Sequence, residues 1–280
     1  MAEIGKKNHL EILKQVDFGL YLDGGELGEI LLPRRYKPEK WQIGDYMDVF
    51  VYLDSDDRPV ATTEEPLAQV DSCANLKVVQ IGKFGAFMNW GLAKDLLVPF
   101  KEQRVPMQVG SSYVVFVFID ATGRIAASSK LSRFLKEENR DCFQEGQKVT
   151  LLLASRSDLG YKAVINGTHL GLIHNNELFQ QVRVGDTVTG YIKEIRGDDR
   201  INLTLQASGK EVRDSLREQI LAYMKLHGGC SSITDNSRPE EIYKEFKVSK
   251  SNYKKAIGSL YKDKLIVMGE GTIRLPKRIN

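Results

Sequence analysis

The sequence predicts a multidomain, mainly β protein: three small five-stranded barrels, then an α+β domain of helices closed by a β-hairpin. One layout of apolar runs and glycines occurs three times at fixed spacing. Each copy reads as about five short strands rich in β-branched and aromatic residues, with turn residues between them. After Ser208-Gly209 the apolar period changes from strand-like to helical.

The repeat is clearest when counted from a bend that ends in glycine: Phe18-Gly19, Phe84-Gly85 and Leu159-Gly160. Fifteen residues after the first member of each pair, an apolar run closes at Pro33, Pro99 and His174; after 26 residues comes Gly44, Gly110 or Gly185. A β-rich run follows each glycine, and Arg58, Arg124 or Arg200 opens the last strand. Repeats at this spacing outrank any single motif. In the second copy the strands fall at 76–81, 86–90, 96–99, 113–119 and 125–128, with turns at Gly91, Gly110 and Thr122-Gly123. A closed barrel of this size is the OB-type solution, which removes sheet edges. Phe84 and Phe87 are three apart, so a regular strand would put them on opposite faces. A bend or bulge at Gly85 would bring both rings to one patch, either as a core plug or as a platform for flat ligands such as nucleobases.

The fourth segment is helical. Val212, Leu216, Ile220 and Met224 recur every four residues, and Gly228-Gly229 ends that helix. Ser237 as a capping residue, Pro239 in the first turn and Glu240-Glu241 start a second helix. Ser249 caps a third over 250–263, with Tyr253, Ala256, Ile257 and Leu260 on one side and Ser251, Lys255, Gly258 and Lys262 opposite. Residues 265–267 and 272–275, joined by Met268-Gly269-Glu270-Gly271, read as a hairpin; three helices and a hairpin make a winged helix. The domain limits are 1–65, 66–140, 141–208 and 209–280.

Composition narrows the function. With 280 residues, 42% of them hydrophobic, the chain can build several compact domains. Lys and Arg against Asp and Glu number 8 to 14 in residues 1–65, 10 to 6 in 66–140, 7 to 8 in 141–208 and 15 to 9 in 209–280. The basic second and fourth segments could face a polyanion, whereas the acidic first suits a protein partner. Three scattered cysteines give neither a metal motif nor a disulfide framework, and with no signal peptide or apolar span they imply a reducing cytoplasm and no membrane. No phosphate loop, nucleophile elbow or zinc-protease motif is present, and the Asp pairs 56–57 and 198–199 sit where turns favour Asp, so neither an enzyme nor a metal or cofactor is expected.

The order Phe-Gly-Ala-Phe, apolar run to Pro or His, glycine, β-rich strand, Asp-x-x-x-Arg resembles the S1 RNA-binding domain. The second copy carries it as Asp120 to Arg124 and the first as Asp54 to Arg58; in the third, Arg196 stands at the Asp position. The resemblance implies that the bend aromatics, the residue closing the third strand and the last-loop Asp and Arg face RNA. It assigns Phe84, Phe87 and Arg124 in the second copy, with Pro99 at the histidine position. The first offers Phe18, Tyr21 and Arg58, with Pro33 there. In that acidic copy the two rings are expected against a neighbouring domain rather than RNA. The third offers His174 and Arg200, with Leu159 and Lys162 in place of the aromatics and Tyr161 nearby as a substitute.

Three such copies before a winged helix that bears Ser249-Lys250 and Lys254-Lys255-Ala256-Ile257-Gly258-Ser259-Leu260-Tyr261-Lys262 resemble the bacterial conserved virulence factor B family over essentially the whole chain. Its members are described as RNA-binding proteins that affect virulence gene expression in some bacteria. The implied function is single-stranded RNA binding without catalysis, in post-transcriptional regulation. Lys250, Lys254, Lys255 and Lys262 are either a solvated helix face or the docking face of the winged helix. The rival readings are a winged-helix regulator of duplex DNA, and an interaction scaffold on a ribosome or RNA-decay assembly through the first barrel.

Overall fold

The structure, a computed structural model, describes residues 1–178, 181–207, 210–269 and 271–276, with backbone alone for 210–215. The Val212 side chain, the Ser208-Gly209 junction and Glu270 of the expected hairpin loop lie outside the described residues. The chain divides into two compact units, residues 1–136 and 137–280.

The first unit holds two barrels. Strands β1 (Lys7–Val16), β2 (Gly19–Asp23), β3 (Glu29–Pro33), β4 (Tyr46–Leu53) and β5 (Pro59–Thr62) close in the order β1-β2-β3-β5-β4. Strands β6 (Cys73–Ile81), β7 (Gly85–Asn89), β8 (Leu96–Pro99), β9 (Ser112–Ile119) and β10 (Ile125–Ser128) form a sheet in the order β10-β9-β6-β7-β8, whose edge strands β8 and β10 run close together. In the second unit β11 (Lys148–Ser157), β12 (Gly160–Ile165), β13 (His169–His174), β14 (Thr187–Ile195) and β15 (Ile201–Thr204) close like the first barrel. The third and fifth strands pair in parallel in both closed barrels, as OB-type closure requires.

The threefold repeat extends to backbone detail. The first strand of each barrel loses register at one place: between Ile12 and Lys14, Val78 and Gln80, and Leu153 and Ser155. Each skipped residue lies five before the bend residue. A bulge there curves a long strand enough to pair with both neighbours. The bend or bulge expected at Gly85 is not found there; the register shift lies in the first strand. Gly19, Gly85 and Gly160 serve a close approach instead. A Cβ on each would stand 2.1, 2.1 and 1.9 Å from the carbonyl oxygens of Leu32, Val98 and Ile173. No larger residue fits where the second strand crosses the third.

Strand β4 explains how the first two barrels dock. Val49 and Val51 point into the first barrel's core with Leu20, Leu22, Ile30 and Leu32. Phe50 and Tyr52, on the opposite face, join Trp90, Leu92 and Leu96 of the second barrel in one cluster. Phe50 meets Trp90 edge-on at 5.7 Å, and the indole N–H donates to Lys94 O at 2.6 Å. A strand apolar on both faces is buried on both. The expectation that Phe18 and Tyr21 face the neighbouring domain is corrected: Phe18 is exposed, edge-on to Tyr21, and Phe50, Tyr52 and Val60 make the contact.

Beyond the third barrel come α1 (Lys210–Leu226), β16 (Cys230–Ser231), α2 (Pro239–Phe246), α3 (Lys250–Lys262), β17 (Val267–Gly269) and β18 (Thr272–Arg274). Leu216, Ile220, Met224, Ile242, Phe246, Tyr253, Ile257, Leu260 and Ile273 pack as one core. Tyr253 is fully buried and donates to Ile233 O at 2.9 Å. Ser249 caps α3 by accepting from Asn252 N at 3.1 Å. Ser237 does not cap α2: Arg238 stands at that position, and the Ser237 hydroxyl accepts from Thr234 N instead. The two-residue β16 completes a sheet β16-β18-β17. Among the described residues no helix is long and apolar enough to cross a membrane.

Candidate nucleic-acid interface

The bend of the second barrel carries an aromatic rim. Phe84 lies in the turn between β6 and β7 and is 67% exposed. Its carbonyl accepts from Phe100 N at 3.1 Å. The same bond recurs as Arg34 N to Phe18 O and Asn175 N to Leu159 O, so the residue after the third strand always sits beside the bend. In the second barrel alone that residue is aromatic: Phe100, 53% exposed. Phe87 is half-buried, with its ring across Gly82, where a Cβ would meet Cε2 at 2.7 Å. The Lys83 ammonium stands 5.7 Å from the centre of the Phe84 ring. Exposed Lys101 follows Phe100, and Lys130 Nζ donates to its carbonyl at 2.6 Å. Exposed rings interleaved with cations can stack bases and neutralise phosphates together. Sequence reading missed Phe100. Its signal was its place 16 residues after the bend, immediately beyond the position closing the third strand.

The Asp-x-x-x-Arg loops are tight hairpin turns. Asp120 N bonds to Arg124 O and Gly123 N to Asp120 O, while Oδ1 of Asp120 accepts from Thr122 N at 2.8 Å and Arg124 N at 3.1 Å. Burial alone would raise the Asp120 pKa, but the hydrogen bond from the Thr122 hydroxyl at 2.6 Å and these backbone bonds outweigh it and hold the carboxyl below its ordinary value. Asp54 does the same in the first barrel. The aspartate is thus a turn organiser. In the third barrel Arg196 keeps the backbone bond to Arg200 without that carboxylate.

The arginines are engaged. Arg124 donates from Nε at 3.0 Å, and from Nη2, to Oδ2 of Asp57 in the first barrel's loop. Arg58 pairs with Asp54 and Asp56. In the third barrel Arg200 lies 3.9 Å from Glu137, which Lys162 bonds at 2.6 Å. The bond from Lys162 outweighs burial and keeps the Glu137 carboxyl below its ordinary pKa. His174 is half-buried against Asn202 Oδ1 at 3.2 Å, and Asn202 donates to Glu194. Tyr161 must be corrected: it is 6% exposed, packs in the barrel core and donates to Val182 O at 3.0 Å. It follows the glycine directly and points inward, whereas Lys162, in register with Phe87, points out.

On α3, Lys254 stands 3.9 Å from Asp235, and Lys250 Nζ donates to Asn236 O at 3.4 Å. Lys255 and Lys262 are exposed, opposite the buried face of Tyr253, Ile257 and Leu260, with no partner among the described residues.

Family models match the first two barrels and the winged helix. The S1 domain model matches residues 4–64 and 72–130, and the CvfB-like winged helix domain model matches 218–275. A Bacillus subtilis (strain 168) protein called YitL is 28% identical over 281 residues, covering 95% of this chain and 92% of its own. Conserved virulence factor B of Staphylococcus epidermidis (strain ATCC 35984) is 25% identical, covering 86% and 83%. A crystal structure of a multidomain protein with nucleic acid binding domains from Streptococcus pneumoniae TIGR4 is 22% identical over 98% of both chains, with a TM-score of 0.40.

Proposed function

We propose, from the premise that this chain is a homologue of the conserved virulence factor B proteins with S1 domains ahead of a CvfB-like winged helix domain, that it binds single-stranded RNA without catalysing a reaction. It acts in the cytoplasm as a post-transcriptional regulator. The observation that carries this is the rim of the second barrel, where Phe84 and Phe100 are exposed side by side next to Lys83 and Lys101. Large exposed rings on a basic module have no packing role there, and stacking tolerates any base sequence. Phe87 and Arg124 supply a second contact layer behind the rim. In the third barrel His174 adds a polar contact, and Lys162 and Arg200 add cationic ones once Glu137 yields them. Tethered modules, each weak alone, raise one another's effective concentration.

The test is titration of labelled single-stranded RNA at two salt concentrations. We expect tight binding at low salt, a log-linear fall with salt, and loss of affinity in the Phe84→Ala/Phe100→Ala protein. Unchanged affinity in that variant removes the surface. The exposed Lys255 and Lys262 of α3 favour a second reading, duplex DNA docked on the winged helix. Competition by duplex DNA that exceeds competition by RNA, and that falls in Lys255→Ala/Lys262→Ala, decides for it. Little affinity for either nucleic acid, with a co-purifying protein partner, decides for a scaffold acting through the acidic first barrel.

A further inference from the structure

Within the 1–136 unit a crevice of about 370 Å³ opens between the first and second barrels. Small-molecule sites span about 300–1,000 Å³. Phe87 and Trp90 line its apolar side, and Asp57, Lys94, Asp120 and Arg124 supply its polar groups. Lys94 ties the barrels together across it, donating to Leu53 O at 3.1 Å and Asp54 O at 2.7 Å. At the mouth Arg124 gives two N–H groups to a single oxygen of Asp57, and both side chains stay open to solvent, 60% and 39% exposed. Such an exposed pair is weak and easily exchanged. A phosphate offers the same guanidinium two oxygens in fork geometry. The aromatic wall and the exchangeable arginine lie in the same crevice, which suits a flat base carrying an anion.

We propose that this crevice receives one nucleotide of the bound strand, its base against Phe87 and its phosphate on Arg124 in place of the Asp57 carboxylate. The inference rests on the single-stranded RNA reading above. It makes Asp57, on the first barrel, an internal competitor for phosphate and a determinant of affinity. The acidic barrel then takes part in RNA binding by yielding a cation and by walling the crevice with Tyr52, Leu53 and Ser55.

The test uses the full-length chain with a labelled uridine oligonucleotide. Asp57→Asn is the variant of choice, because Asp57 sits at φ 61° and asparagine tolerates that left-handed backbone. Asp57→Asn should bind several-fold tighter, and its log affinity should fall with log salt more steeply, by up to about 0.7 for the one phosphate now held without competition. Adding Arg124→Ala should abolish the gain. Trp90 emission, read in a Trp41→Phe background, should change on RNA binding, because Trp90 lines the crevice. The inference is overturned if Asp57→Asn binds no tighter while Phe84→Ala/Phe100→Ala still loses affinity. If the unmodified protein binds no single-stranded RNA, the functional reading falls and this inference with it.

Discussion

Phe84 keeps two thirds of its surface open, while Phe87, three residues on, is half-covered by its own barrel. Phe84→Ala should therefore weaken RNA binding by about 1–3 kcal/mol, the usual worth of one stacked base, and leave the melting temperature unmoved. Equilibrium titration and thermal denaturation read the two effects apart. Glu102 behaves in the opposite way: it is buried, and both its oxygens accept from Arg133 Nη1 at 2.6 Å. Burial alone would raise its pKa, but the Arg133 hydrogen bonds and charge win and hold it below the ordinary value. Its folded pKa is depressed, so its stabilisation is present above the unfolded pKa and is lost as pH falls through the folded one. Denaturant titrations below about pH 4 should show stability falling in the natural protein and a flatter curve in Glu102→Gln. Spacing placed Phe84, Phe87 and the arginines in the repeat, and it took the S1 resemblance to assign them as contacts. Phe100 was overlooked although its spacing was there to count, because only the hydrogen bond to Phe84 O shows that this position sits beside the bend. Tyr161 was misread by one residue, and in a strand one residue is the other face.

Each barrel depends on one glycine. A Cβ at Gly85 meets Val98 O at 2.1 Å, a backbone atom that cannot step aside. Gly85→Ala should destabilise the second barrel by at least about 2 kcal/mol, at the level of a severe overpacking change, and should splay β7 from β8. Chemical denaturation and amide exchange at β7 check this, and Gly19→Ala should do the same to the first barrel. In the winged helix Ser249→Ala removes the only side-chain cap found at the start of α2 or α3 and should cost about 1 kcal/mol. The three helices and the hairpin could be read from period and capping residues. The strand β16 could not, because two residues carry no period and exist as a strand only through pairing with Thr272–Arg274. The bulges were not legible: no irregularity at Gly85 brings Phe84 and Phe87 to one strand face, because Phe84 lies in the turn and the register shifts in the first strand instead. The first strand must curve between two partners, and that requirement acts five residues before the bend.

The first two barrels share a hydrophobic cluster and form one compact unit of residues 1–136. Calorimetry should show a single transition for this unit, and Trp90→Ala, which removes a 3% exposed indole from the seam, should lower its stability by about 3–5 kcal/mol. The unbroken apolar run of β4 suits a strand buried on both faces, yet nothing in it says that the second face belongs to the next barrel. That is why Phe18 and Tyr21 were expected at a contact that Phe50 and Tyr52 make. It is also why the pairing of Arg124 with Asp57 came only from the structure: the two residues are 67 apart and meet because the barrels dock. The central claim is that the aromatic rim of the second barrel holds unpaired RNA. Ultraviolet cross-linking of the full-length protein to single-stranded RNA, with the cross-linked peptides mapped by mass spectrometry, tests it most directly. Cross-links concentrated at Phe84 and Phe100 are predicted; cross-links confined to α3 or to the first barrel would contradict it.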